Sequence, residues 1–355
     1  MTIALDATSL AASPGGVARY TLELSRSLAE HFPDDEFWLL SDQPVAVPEC
    51  TLPNLQKGER PQTLATRRWW LWGLQHEMMR RGIDLFHGTD FAVPYFPSRP
   101  SVMTVHDLSP WLDRAWQPDA GRVRRRTGLL LRMGLATMII TPSEAIRKAA
   151  IQRFHLMPDR VAAVPLAASL QFRPITVAPA AMPYFLFVGT LEPRKNIACL
   201  LEAWREVRKT RNIEMVLAGR ARADFRAPEP EPGLRVLGAV PEEDLPRLYS
   251  GALAVVYPSL YEGFGLPVLE AMQCGAVVIT SRDPAITEVA GGAAVQVDGS
   301  DSRGLVAALG AVADAPSSFA QVRERALERA AQFSWRTTAE RTREVYDEAR
   351  RRFRK

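Results

Sequence analysis

Tyr257-Pro258-Ser259-Leu260-Tyr261-Glu262-Gly263-Phe264-Gly265-Leu266-Pro267-Val268-Leu269-Glu270-Ala271 passes from an apolar run into a glycine-containing loop and then into a helical pattern. A strand ends near Ser259, and Pro267 is suited to the first position of a helix, where its missing N–H costs nothing. A helix N-terminus presents unpaired N–H groups and a positive dipole end, so the turn can hold an anion such as a diphosphate. Gly263 and Gly265 let the backbone approach a ligand without a Cβ in the way. Glu262 falls in the loop and Glu270 about one turn into the helix, placed to accept hydrogen bonds from ligand hydroxyls. The same residues also suit a plain helix start that favours Glu through its dipole, with Gly-Phe-Gly as an ordinary turn.

The strand–loop–helix plan extends in both directions. The first half offers strands at Thr2–Asp6, Glu36–Leu40, Ile83–Phe86, Ser101–Val105, Thr137–Thr141 and Arg160–Val164. The second offers Tyr184–Thr190, Ile213–Gly219, Leu234–Gly238, Leu253–Ser259, Ala276–Ser281 and Ala293–Asp298. Several are apolar throughout, as strands buried on both faces of a parallel sheet are. Alternation with helices predicts an α/β fold of two doubly wound domains. Prolines 174, 179 and 183 obstruct helix and central strand alike. The expected division is therefore a domain over 1–175, a linker over 176–183, a second domain over 184–335, and a C-terminal helix over 336–355 that packs back toward the first domain. Ligands of such sheets bind at the carboxyl ends of the strands, and two facing domains would place those ends in a shared cleft.

Composition narrows the function classes. The 355 residues are 47% hydrophobic and 24% charged, the balance of a globular chain of about two domains. Three isolated cysteines, Cys50, Cys199 and Cys274, exclude a disulfide framework and a multi-Cys zinc site, and fit a reducing, cytoplasmic setting. Residues 1–6 lack a basic n-region, so no signal peptide is expected, and the longest apolar stretch, Thr127–Ile140, is broken by Arg132 and too short to span a membrane. A net charge of +4 is too mild to indicate a nucleic-acid partner.

Other motifs sit at the predicted strand ends. They are Ser13-Pro-Gly15-Gly16-Val-Ala-Arg-Tyr20, Thr104-Val-His106-Asp107-Leu108, Thr141-Pro-Ser143-Glu-Ala145 and Val188-Gly-Thr-Leu-Glu-Pro-Arg194-Lys195-Asn196. With the Glu262 and Glu270 stretch, this set resembles the retaining glycosyltransferases of family 4, whose signature is two glutamates separated by seven residues. The resemblance covers essentially the whole chain. It implies the GT-B fold, two Rossmann-like domains, and looks most like bacterial mannosyltransferases of polysaccharide and glycolipid assembly.

Each motif also has a physical reading. Gly15 and Gly16 follow the first strand and open a helix, so their N–H groups can face phosphates; a tight βα turn is the plainer alternative. Arg194 and Lys195 oppose a helix dipole, which a bound diphosphate would compensate. The resemblance implies a nucleotide-sugar donor held by Arg194 and Lys195 on the diphosphate, Glu270 on the ribose, and Glu262 with the backbone of Gly263, Phe264, Gly265 and Leu266 on the sugar. His106 would approach the donor sugar, with Asp107 orienting its ring or capping the next turn. His87, Asp90 and Asp107 are weaker acceptor-side candidates. No D-x-D motif appears in a metal-binding role, so no metal or other cofactor is expected. GDP-mannose is the favoured donor, and a saccharide or lipid-linked saccharide the acceptor. A UDP-sugar transferase, an epimerase of the same fold, or an inert nucleotide- or polysaccharide-binding partner are the alternatives.

Two segments stand apart. Residues 66–81 read as a helix on which Trp69, Trp70, Leu71 and Trp72 cannot share one buried face. Between Arg114 and Arg153 nine basic residues face two acids. With the tail from Arg350 to Lys355, these could dock on an anionic membrane leaflet; packing by the tryptophans and solvation of the charges is the plainer reading.

Overall fold

The computed structural model describes residues 1–11, 15–45, 52–59, 68–178 and 180–353. Ser13, Pro14, Cys50, Thr66, Arg67, Pro179, Arg354 and Lys355 lie outside them.

Two compact units divide the chain, one of residues Met1–Leu166 with Ser334–Lys355 and one of Ala167–Phe333. The first holds β1 (Thr2–Asp6), α1 (Gly16–His31), β2 (Glu36–Leu40), β3 (Leu55–Lys57), α2 (Leu74–Arg80), β4 (Leu85–Gly88), β5 (Ser101–Thr104), α3 (Ser109–Leu112), α4 (Gly121–Arg132), β6 (Met138–Thr141), α5 (Glu144–Phe154) and β7 (Val161–Ala163). The second holds β8 (Tyr184–Val188), α6 (Ile197–Arg208), β9 (Glu214–Ala218), β10 (Leu234–Gly238), α7 (Leu245–Gly251), β11 (Ala254–Tyr257), α8 (Leu266–Gln273), β12 (Val278–Ser281), α9 (Pro284–Ala290), β13 (Val295–Val297), α10 (Ser302–Asp314) and α11 (Ala320–Ala330). The last helix, α12 (Trp335–Phe353), groups with the first unit, where it packs on α1, β5 and β6.

Each unit is built on one parallel sheet, in the order β3-β2-β1-β4-β5-β6-β7 in the first and β10-β9-β8-β11-β12-β13 in the second. The central strands are buried along their whole length, as helices on both faces require. β10, at an edge, is mostly exposed. These are two Rossmann-like, doubly wound sheets, as the sequence predicts.

The changeover between units differs from the expected one. Residues 167–175 pack with the second unit, since Phe172 meets the Tyr249 ring edge-on at 6.0 Å, Gln273 donates to Ser169 O at 2.9 Å, and Ile175 N donates to the Ser250 hydroxyl at 3.1 Å. Residues 167–175, expected in the first domain, therefore belong to the second unit, and the changeover falls between Leu166 and Ala167 instead of at 176–183.

The tryptophan segment also departs from a uniform helix. Gly73 N reaches back five residues to Arg68 O at 3.3 Å, a π-helical turn over Trp69–Gly73, and α2 follows. Trp69 is buried on Leu74, Met78 and Phe86, whereas Trp72 is 58% exposed and stacks on the exposed Phe96 at 5.7 Å. Among the described residues no single helix is long and apolar enough to cross a membrane.

Candidate active site

In the second unit the loops after β8 and β11 are tied together at their roots. Leu260 N donates to Arg194 O at 2.8 Å, and the Asn196 amide donates to Gly299 O at 2.7 Å and Pro258 O at 3.3 Å. Asn196 itself sits at φ +59, an unusual cost for a non-glycine residue that these bonds offset. Gly265 caps α8 at φ +98, where a Cβ would be strained, and the helix begins at Leu266, one residue before the expected Pro267.

This frame brings Arg194, Lys195 and Glu262 together. Glu262 takes the Lys195 ammonium on Oε1 at 2.5 Å and the Arg194 guanidinium on Oε2 at 2.8 Å. Lys195 is 5% exposed and also donates to the Tyr257 hydroxyl at 2.6 Å. Burial opposes ionisation of Glu262, yet Arg194 and then Lys195 outweigh it and bring its pKa down to about 2. Burial and the neighbouring Arg194 lower the Lys195 pKa, against the pull of Glu262. The glutamate is a carboxylate and the two cations hold it so.

A second ring of groups, absent from the sequence reading, supports this centre. Glu192 pairs with Arg194 Nε at 2.7 Å and with Arg222 at 3.3 Å, and Asp283 accepts the Glu262 N–H at 3.3 Å while capping α9 through Ala285 N and Ile286 N. Burial lifts the Asp283 pKa to about 6, partly offset by the bond from Ile286 N. Glu192 is adjacent to the Pro-Arg-Lys motif, a legible signal; Tyr257 and Asp283 carry none, because their partners are distant in sequence. Glu270 is buried in α8 and accepts the Tyr249 hydroxyl at 2.8 Å, away from the Arg194–Lys195–Glu262 cluster's own hydrogen bonds. Phe264 is buried edge-on against Phe333 at 5.9 Å, so its ring packs the loop.

In the first unit Gly15 is the extended N-cap of α1 and has no side chain to satisfy the first-turn N–H groups; Gly16 opens the helix with free space where a Cβ would stand. His106 follows β5, its Nε2 bonded to Thr89 O at 2.7 Å and its ring edge-on to Tyr20 at 4.9 Å. Asp107 accepts Ser109 N at 2.8 Å and the Ser109 hydroxyl at 2.7 Å, so of its expected roles it performs the cap.

His87 corrects an expectation. It is completely buried, with Nδ1 at 2.7 Å from the Tyr346 hydroxyl and Nε2 at 2.8 Å from the Thr104 hydroxyl, which in turn meets the Tyr20 hydroxyl at 2.9 Å. Burial drives its pKa down to about 3, with His106 adding to the shift. It is a neutral link tying α12 to the sheet, with both ring nitrogens taken and no exposed surface. A strand-end position was its only signal, and the strand runs to Gly88, so the ring points into the core.

Residues 14–172 match the family described as Glycosyltransferase Family 4, and residues 182–315 the one described as Glycosyl transferases group 1. The chain is 35% identical over 287 residues to O-antigen chain mannosyltransferase B of Escherichia coli, covering 74% of each. In fold it is similar to sucrose-phosphate synthase of Thermosynechococcus elongatus, with TM-score 0.76 and 19% identity over 98% of both chains. It is similar also to HepE of Anabaena solved with UDP-glucose, with TM-score 0.71 and 17% identity over 98% of this chain and 99% of that one. Two Rossmann-like units and both family matches lead to one statement: the chain belongs to the family 4 glycosyltransferases and has the GT-B fold.

Proposed function

We propose that the chain transfers mannose from GDP-mannose to a saccharide or lipid-linked saccharide, with retention of anomeric configuration and without a metal ion. The observation that carries this reading is the convergence of Arg194 and Lys195 on Glu262 beside the N-terminus of α8. The mannosyltransferase relative supports the sugar. Lys195 spends two of its protons on Tyr257 and Glu262 and keeps the third for a phosphate oxygen. In transfer the bond from the sugar C1 to the diphosphate oxygen breaks while the acceptor oxygen bonds C1 on the same face. The acceptor proton passes to the departing phosphate, whose charge Arg194 and Lys195 stabilise, each key donor contributing about 3–4 kcal/mol. Glu262 and the Gly263–Leu266 backbone hold the sugar, Glu270 the ribose on releasing Tyr249, and His106 the reacting face; the Gly15 and Gly16 N–H groups take phosphate charge.

Calorimetric titration against GDP, UDP and ADP tests the donor. Tightest binding of GDP is expected; tighter UDP or ADP overturns the guanine assignment. Transfer should persist in excess chelator, and its abolition would refute the metal-free mechanism. NMR of the product's anomeric proton reads retention directly. The exposed Trp72–Phe96 stack supports contact with an anionic leaflet, tested by co-sedimentation with phosphatidylglycerol vesicles: Trp72→Ala should reduce binding, and equal binding would sink that contact.

A further inference from the structure

The carboxyl edge of the first unit's sheet holds charges that its own fold leaves unused. β1, β4 and β5 are neighbours, and their ends carry Asp6, Asp90 and His106 side by side. Arg126, on α4, lies with its Cζ 5.1 Å over the Trp70 ring and within electrostatic reach of Asp6 and Asp90. Its Nε is buried and has no hydrogen-bond partner. Among the described residues neither the Arg126 guanidinium nor the Asp90 carboxylate makes a hydrogen bond or an ion pair, although both are partly buried and feel each other's charge. Asp6 spends only Oδ1, on the N–H and hydroxyl of Thr8.

The loop that carries Asp90 is held in a costly shape. Phe91 sits at φ +52, and a Cβ on Gly88 would come 1.6 Å from Ala92 O. The Thr127 hydroxyl, next to Arg126, bonds Phe91 O at 2.8 Å and fixes the loop against α4. A strained loop thus fixes a carboxylate near a guanidinium without letting them pair. Unpaired buried polar groups are expensive, so an arrangement of this kind suits a ligand that satisfies both.

Charge decides the ligand's class. Arg126 and the nearby Arg122 face Asp6, Asp90 and Asp107, so the edge offers no net positive charge to a phosphate, and the carboxyls would repel one. Sugar hydroxyls both donate and accept: a pair on adjacent carbons can donate to a carboxylate and accept from Arg126 together.

We propose that Asp90 and Arg126, with Asp6 beside them, form an acceptor subsite that takes adjacent hydroxyls of an uncharged sugar ring and rejects a phosphate group. The subsite rests on the reading of the chain as a transferase onto saccharides. The Trp70 ring lies 5.1 Å under the guanidinium carbon and attracts it as a cation over a ring face.

Ligand-observed NMR of the full chain with octyl α-mannopyranoside and with mannose 1-phosphate tests this, alongside calorimetry with GDP. The wild-type chain should bind the mannoside, and Asp90→Asn and Arg126→Gln should each weaken it at least tenfold while GDP affinity stays within twofold. Variants within twofold of wild type for the mannoside, or no mannoside binding by the wild type, would overturn the subsite. So would mannose 1-phosphate binding that exceeds the mannoside's and depends on Arg126. If the variants do not fold, the wild type titrated with singly deoxygenated octyl mannosides serves instead: a tenfold loss at two neighbouring positions supports the subsite, and uniform affinity across the series overturns it. Mannoside binding without GDP binding would sink the donor assignment and leave the subsite standing.

Discussion

At the carboxyl edge of the second unit's sheet the cations of the site lean on carboxylates: Lys195 on Glu262, Arg194 on Glu262 and Glu192, Arg222 on Glu192 and Asp224. At the corresponding edge of the first unit Arg126 and Asp90 stand apart among the described residues, and a neutral chain of bonds runs from Tyr346 through His87 and Thr104 to Tyr20. The same layered fold therefore manages charge in two ways. An interlocked ionic centre is preassembled, and a ligand must compete with internal partners for it. A held-apart pair waits for hydroxyls. Buried ion pairs add little net stability, but removing one partner strands the other, so the two edges should respond differently to single substitutions.

The largest effect is expected for Glu262→Gln, which leaves two cations without their shared counter-charge; denaturant unfolding at pH 7 should lose about 3–5 kcal/mol. The pH dependence sharpens this. The Glu262 pKa falls on folding from the ordinary 4.5 to about 2, so its contribution is complete above pH 4.5 and disappears as pH falls toward 2. Wild-type stability should decline across that interval and the variant's should decline less; parallel curves would break the idea of an interlocked centre. Next, Lys195→Ala should lower kcat by about 10²–10³-fold, as loss of a donor to developing charge does. Turnover within tenfold of wild type would remove lysine from the chemistry.

On the other edge, Tyr346→Phe leaves His87 Nδ1 buried without its partner and should cost about 1–3 kcal/mol in thermal or denaturant unfolding. GDP affinity should be unmoved, and a change there would mean that the two edges are not independent. The smallest effect is expected for Gly265→Ala, where φ +98 imposes strain of about 1–2 kcal/mol on any side chain, together with a modest loss of GDP affinity in the same titration.

Much of the architecture was readable because parallel strands buried on both faces are apolar throughout: twelve strands were expected, and a strand lies in each place. β3 escaped because it is three residues long and only Leu55 is buried, leaving no periodicity to detect. Bends in the regular plan also escaped, as the π-helical turn at Trp69–Gly73 illustrates, since three tryptophans in four residues suit a helix of either pitch. At the site, spacing located Arg194, Lys195 and Glu262 but not their mutual pairing. Tyr257 and Asp283 meet those residues through the parallel sheet's long crossovers, which local pattern does not encode, whereas Glu192 stands only two residues from Arg194. His87 failed for a related reason: a strand end tells which edge a residue reaches, not whether its ring turns outward.

α12 contributes Arg343, which pairs with Asp35 at 2.6 Å, and Tyr346, whose hydroxyl meets His87, yet it follows the entire second unit in the chain. A ribosome therefore releases every strand of the amino-terminal sheet long before the helix that covers it. Residues 167–333 are continuous and can condense as they emerge, whereas the earlier-made half waits, with one face of β5 and β6 uncovered, for the last helix. The portion synthesised first is then the portion finished last, and nascent-chain chaperones would be needed most by the half that carries residue 1.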